Sequence, residues 1–64
     1  MKNGKVKFFH DDKDYGFIET DDIDEDVFFH MSKVRGGVIE KGEEVKFEVE
    51  EADEGPRAID VARQ

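Results

Sequence analysis

Along this chain, apolar residues recur at every second position. Val45, Phe47 and Val49 alternate with Glu44, Lys46, Glu48 and Glu50, which is the pattern of a strand with one buried and one wet face. Gly16 and Ile18 alternate with Tyr15, Phe17 and Glu19, and Val27 and Phe29 with Asp26, Phe28 and His30. Lys5-Val6-Lys7-Phe8-Phe9 reads as a first strand and Arg57-Ala58-Ile59-Asp60-Val61-Ala62 as a last one. Turn formers fill the gaps: Asp11-Asp12-Lys13-Asp14, Asp21 to Glu25, Gly36-Gly37, Lys41-Gly42-Glu43 and Asp53-Glu54-Gly55-Pro56. No window sustains a helical period, and His30-Met31-Ser32-Lys33 has room for one helical turn at most. Five short strands in 64 residues predict an all-β fold. The expected form is a five-stranded antiparallel barrel, closed or nearly so, as one domain over residues 1–64.

Two of these strands depart from the rule that an outer face is polar. Gly16 and Ile18 suit the packed side of the second strand, which turns Tyr15 and Phe17 outward. Val27 and Phe29 suit the packed side of the third, which turns Phe28 and His30 outward, although periodicity alone leaves open which of Phe28 and Phe29 is inside. The opposite assignment exposes Ile18 and packs poorly. Four planar rings then share one surface of neighbouring strands, with Lys7 and Phe8 beside them on the first strand and Lys13 at the turn before Tyr15. Single-stranded nucleic acid binds to surfaces of this kind. Its bases stack on aromatic faces, worth about 1–3 kcal/mol each, while cations follow the phosphates.

Charge complicates that picture. With 18 acidic against 10 basic residues the net charge is -8 and the isoelectric point about 4.6, unlike the usual basic nucleic-acid binder. The charge is segregated, however. Residues 11–26 hold nine acids and one lysine, whereas residues 1–10 hold three lysines and no acid. The acids lie mainly between the apolar segments and the cations beside the rings. Such an acid excess suits a saline cytoplasm, where the Debye length shrinks to about 3 Å in molar salt and self-repulsion is screened. The charged fraction of 44% leans toward disorder, but six Phe and one Tyr oppose it.

Other chemistries find little support. The absence of Cys excludes disulfides and thiolate metal sites. The longest apolar run is Val27-Phe28-Phe29, too short to span a membrane. Nothing near the N-terminus resembles a signal peptide, so a cytoplasmic protein is expected. His10 and His30 would lack two ligands as a metal pair. His30 reads as a stacking ring and His10 as a polar residue at a turn. The run Asp22 to Asp26 has the acids of a calcium loop, but Val27 holds its Gly position and Lys33 its final Glu position. Ser32 near His30 lacks the rest of a triad. Neither an enzyme nor a cofactor is expected.

Lys13-Asp14-Tyr15-Gly16-Phe17-Ile18 resembles the first ribonucleoprotein motif of the cold-shock domain family, and Val27-Phe28-Phe29-His30-Met31 its second. Gly4 to Phe9 resembles the family's first strand, and Gly55-Pro56 the start of its last. The resemblance implies a five-stranded oligonucleotide-binding barrel that binds single-stranded RNA and DNA with little sequence preference and acts as an RNA chaperone. It implies binding positions at Lys7, Phe8, Lys13, Tyr15, Phe17, Phe28 and His30, flanked by Phe9 and Met31, in a monomer without a membrane partner. Phe8 stands where the family usually has Trp, Asp14 where it has Gly, and Met31 where it has an aromatic residue. The stretch Val34 to Glu43 is shorter than the bacterial pattern, and Glu54 lies near a position that is often basic. Each departure should weaken binding in dilute salt. If Val6 is core and Phe8 lies on the surface, the first strand needs a bulge or a strong local twist. The competing functional class is an acidic interaction module that binds a basic protein or ribosomal surface through the same rings.

Overall fold

The structure, a computed structural model, describes residues 2–10, 12–36 and 39–64. Asp11 and Gly37 of the expected turns lie outside the described residues, as does Val38. Strands β1 (Lys2–His10), β2 (Tyr15–Glu19), β3 (Val27–His30), β4 (Glu44–Ala52) and β5 (Gly55–Arg63) form the fold, with a single 3-10 turn at Met31–Lys33. They close into a barrel in the order β1-β2-β3-β5-β4.

Four of the strand pairings are antiparallel: β1–β2, β1–β4, β2–β3 and β4–β5. The fifth, β3–β5, is parallel, with Phe28 opposite Arg57, and Val34 bridges Val61 in the same sense beyond it. The expectation of a purely antiparallel barrel is therefore corrected. The reason is topological: directions that alternate around a closed ring require an even number of strands, so a ring of five must contain a parallel neighbour.

The interior is filled by Val6, Ile18, Val27, Phe29, Ile39, Val45, Phe47, Ala58 and Val61, each at most 3% exposed. Burial of each larger side chain contributes about 1.5–3 kcal/mol. Ile39 enters from the β3–β4 connection, whose end is pinned to β1: Gly42 N–H donates to Val6 O and Val6 N–H to Glu43 O, both at 2.9 Å.

Two irregularities adapt the alternation to this closure. In β1 the register steps from Val6 opposite Ile18 to Phe8 opposite Phe17, which leaves Lys7 as the extra residue of a bulge. Val6 thus stays in the core while Phe8 emerges outside. In β5 the register steps from Asp60 opposite Glu48 to Ala58 opposite Val49, leaving Ile59 as the extra residue. Ala58 and Val61 can then both face inward, and Ile59 is left 41% exposed.

Candidate nucleic-acid interface

The ring surface spans β1, β2 and β3 on the outside of the barrel. The register sets Phe8 beside Phe17 and Phe17 beside Phe28, with Tyr15 between His10 and His30. Alternation along β3 is strict: Val27 and Phe29 are buried, whereas Phe28 and His30 are exposed. Along β2, Gly16 and Ile18 are buried while Tyr15 and Phe17 are half-buried. The rings touch one another. Phe8 lies 5.2 Å from Phe17, Tyr15 stacks at 5.6 Å on Phe28, and Phe17 meets Phe28 edge-on at 5.8 Å. These contacts hold the rings in place while leaving outer faces and edges to solvent, so little side-chain entropy remains to be lost when a base stacks.

Gly16 makes the arrangement possible. A Cβ there would lie 2.4 Å from Phe8 O and 2.9 Å from the Phe29 ring, so only glycine lets β1 and the core ring approach so closely. Asp14 is also placed by backbone geometry. Its φ of 59° is left-handed, a conformation that Asp tolerates better than most residues. Its N–H donates to His10 O at 2.9 Å and its carbonyl accepts from Met31 N–H at 2.8 Å. The turn that carries Lys13 is thereby tied to the 3-10 turn after β3.

His30 caps that 3-10 turn. Its Nδ1 accepts from the Ser32 N–H at 3.1 Å and lies 2.9 Å from Ser32 Oγ. The bond fixes the ring's orientation and leaves Nε2 to carry the imidazole hydrogen in the neutral form.

The other sequence-predicted residues fall in distinct places. Lys7 and Lys13 are exposed. Lys7 reaches from β1 past β2 to Asp26, just before β3, with Nζ 3.0 Å from Oδ2. Lys13 makes no ion pair among the described residues. Phe9 points to the opposite side from Phe8: its ring stacks on Phe29 at 6.0 Å and packs against the core, so it supports the surface from beneath. Met31 is half-buried at the edge, in the 3-10 turn.

Two residues join the surface unannounced. His10 was expected as a polar turn residue, but its ring lies 5.1 Å from both Phe8 and Tyr15. The signal was present: beyond a bulge at Lys7, Phe8 and His10 share a face. Arg57 stands opposite Phe28 across the parallel seam. With Phe17, Phe28 and Pro56 it lines a cleft of about 180 Å3. Its Nε and Nη2 both donate to Glu50 Oε2, at 2.8 and 2.6 Å. A larger hollow of about 520 Å3 opens elsewhere, among Asn3, Lys5, Glu19, Thr20, Asp21 and Gln64. It contains no ring on which a base could stack. Among the described residues no group of three or more His, Asp or Glu side chains is placed to hold a metal ion, and no helix is long and apolar enough to cross a membrane.

A small closed barrel with touching, solvent-facing rings on three adjacent strands defines a protein of the oligonucleotide-binding type. Residues 2–64 match the family described as 'Cold-shock' DNA-binding domain, and the chain belongs to that family. It is 44% identical over 66 residues to cold shock protein CspD of Bacillus subtilis (strain 168), covering 98% of each chain. It is 45% identical over 67 residues to cold shock protein 1 of Lactiplantibacillus plantarum, covering 100% of each. Among solved structures, drosophila Unr CSD456 shares the fold with a TM-score of 0.81 at 22% identity, over 98% of this chain and 26% of that one.

Proposed function

We propose that this cold-shock domain binds single-stranded RNA and DNA by stacking bases on Phe8, Tyr15, Phe17, Phe28 and His30, and that it acts as a passive RNA chaperone. The observation that carries the reading is the set of ring contacts across β1, β2 and β3, which keeps hydrophobic faces in solvent where a folded chain would ordinarily hide them. A base stacked on these rings cannot remain paired in a duplex. Capture of transiently open strands therefore shifts a hairpin toward its melted form without nucleotide hydrolysis. His10 extends the stacking surface, Met31 borders it, and Lys7, Lys13 and Arg57 supply cations along its edges. One copy of the barrel carries the whole surface, so it works as a monomer.

The test is a fluorophore–quencher hairpin titrated with protein in about 0.1–1 M KCl without ATP, alongside an electrophoretic shift with an unstructured oligonucleotide. The hairpin should open, and the single strand should bind more tightly than the matching duplex. Preference for duplex would refute the reading, as would binding to a basic protein partner with none to the oligonucleotide.

A further inference from the structure

Two of the three cations bordering the rings are not free. Lys7 is held by Asp26 at 3.0 Å, and Arg57 by Glu50 through two hydrogen bonds to one carboxylate oxygen. Both pairs lie on the ring side of the barrel. Asp26 continues the outward alternation of Phe28 and His30. Glu50 is the β4 partner of Arg57, which itself faces Phe28 across the seam. A carboxylate and a phosphodiester are alike as ligands for these cations, since both are oxyanions that accept charge-assisted hydrogen bonds.

We propose that Asp26 and Glu50 are built-in competitors for the backbone phosphates of a bound strand, so that binding at Lys7 and Arg57 proceeds by exchange of one oxyanion for another. This deepens the strand-binding reading above and rests on it. All four side chains are between 40% and 54% exposed. Such wet pairs are worth at most about fivefold in an equilibrium constant, so they can yield to a phosphate while still lowering affinity. Lys13, which makes no ion pair among the described residues, is the cation that meets the strand directly. The consequence appears in the salt dependence. Each phosphate neutralised on a single strand contributes about -0.7 to the slope of log affinity against log salt. A cation that keeps its carboxylate nearby neutralises little. The slope should therefore be near that of one contact, about -0.7, instead of about -2 for three.

The experiment titrates one labelled unstructured oligonucleotide in about 0.1–1 M KCl. It compares the unaltered protein with Asp26→Asn, Glu50→Gln and the double variant. Glu44→Gln, in the hollow lined by Asn3 and Gln64, removes the same charge away from the rings. At about 0.1 M, Asp26→Asn and Glu50→Gln should each tighten binding by about two- to fivefold beyond Glu44→Gln, and the double variant should steepen the slope toward about -2. In a Lys7→Ala background the gain from Asp26→Asn should vanish. Should Glu50→Gln fail to fold, Asp26→Asn, which lies outside the strands, decides alone. Gains no larger than those of Glu44→Gln, an unchanged slope, or weaker binding by Asp26→Asn would overturn the exchange while leaving strand binding intact. Failure of every protein in the set to bind would overturn both.

Discussion

Phe28 and Phe29 are neighbours in sequence and chemically identical, yet truncating them should have opposite consequences. Phe29 is 0% exposed, stacked on Phe9 and pressed against Gly16. Phe29→Ala removes a buried benzyl group and leaves a cavity, at a cost of about 3–5 kcal/mol. A 64-residue chain has only about 3–10 kcal/mol of stability in total, and each kcal/mol is worth about 4–8 °C in a domain this small. The melting temperature should therefore fall by about 12–40 °C. Phe28 is 36% exposed and touches only the rim rings Tyr15 and Phe17 by ring contact. Its loss should cost about 1 kcal/mol of stability, or about 4–8 °C. The main effect of Phe28→Ala should be on binding, about 1–3 kcal/mol or roughly 5- to 150-fold in Kd. Circular dichroism melts and fluorescence titration of a labelled oligonucleotide, on the same samples, separate the two outcomes. Phe17→Ala should follow Phe28→Ala, and Ile18→Ala and Val27→Ala should follow Phe29→Ala. The reasoning is refuted if Phe28→Ala melts as low as Phe29→Ala, or if it binds as tightly as the unaltered protein.

Further expectations concern charge and the turns. A net charge of -8 on a barrel with a radius of gyration of 10.2 Å repels itself, so raising KCl from about 0.1 to about 1 M should raise stability by on the order of 1–2 kcal/mol; a melting temperature that falls over this range sinks the argument. Asp14→Gly replaces a left-handed Asp by the residue that tolerates this conformation best and removes an acid near Lys13, so both the melting temperature and oligonucleotide affinity should rise, and a loss of both would contradict it. The Glu40 N–H, and after it the Arg63 guanidinium, hold the Glu43 carboxyl below its usual range. A carboxyl lowered in the folded state contributes stability that is complete above its unfolded value and is lost as pH falls through its folded one. Glu43→Gln should thus be less stable than the unaltered protein at neutral pH, and denaturation midpoints should converge in acid; a gap that persists unchanged in strong acid would exclude the ionic origin.

Most of the strand content is legible because a half-buried strand leaves a period of two in its own residues. That local signal marks all five strands, and the packing of Gly16 and Ile18 assigns the faces of β2; in β3 periodicity alone leaves Phe28 and Phe29 interchangeable, and the structure buries Phe29. An irregularity in β1 was legible too, as a bulge or a strong twist, since Val6 and Phe8 share parity while the family resemblance sets Phe8 outside; the register places it at Lys7. What escaped was nonlocal. Nothing around Phe28 or Arg57 announces that they pair, and the parallel seam emerges only when the strands are counted around a closed ring. Arg57 therefore carries no local sign of its place beside the rings. The bulge at Ile59 was equally hidden, because its cause is the mismatch between β4 and β5 and not a feature of either alone. His10 was missed by following alternation without carrying the shift past Lys7. The ion pairs of Lys7 and Arg57 depend on side chains brought from the turn before β3 and from β4, and lysine-rich composition near rings cannot distinguish a free cation from an occupied one.

The parallel seam has a dynamic consequence. Antiparallel ladders join the other strands along much of their length, whereas β3 meets β5 at Phe28 and Arg57, with the Val34–Val61 bridge and the Arg35 N–H to Val61 O bond beyond. This is the thinnest backbone joint in the described barrel, so amide hydrogen exchange should report its opening before that of the β4–β5 hairpin. Phe28 stands on one lip of this joint and Arg57 on the other. A base lying against Phe28 with its phosphate at Arg57 would bridge both lips, so a bound strand should slow exchange across a seam that the protein's own hydrogen bonds close only lightly.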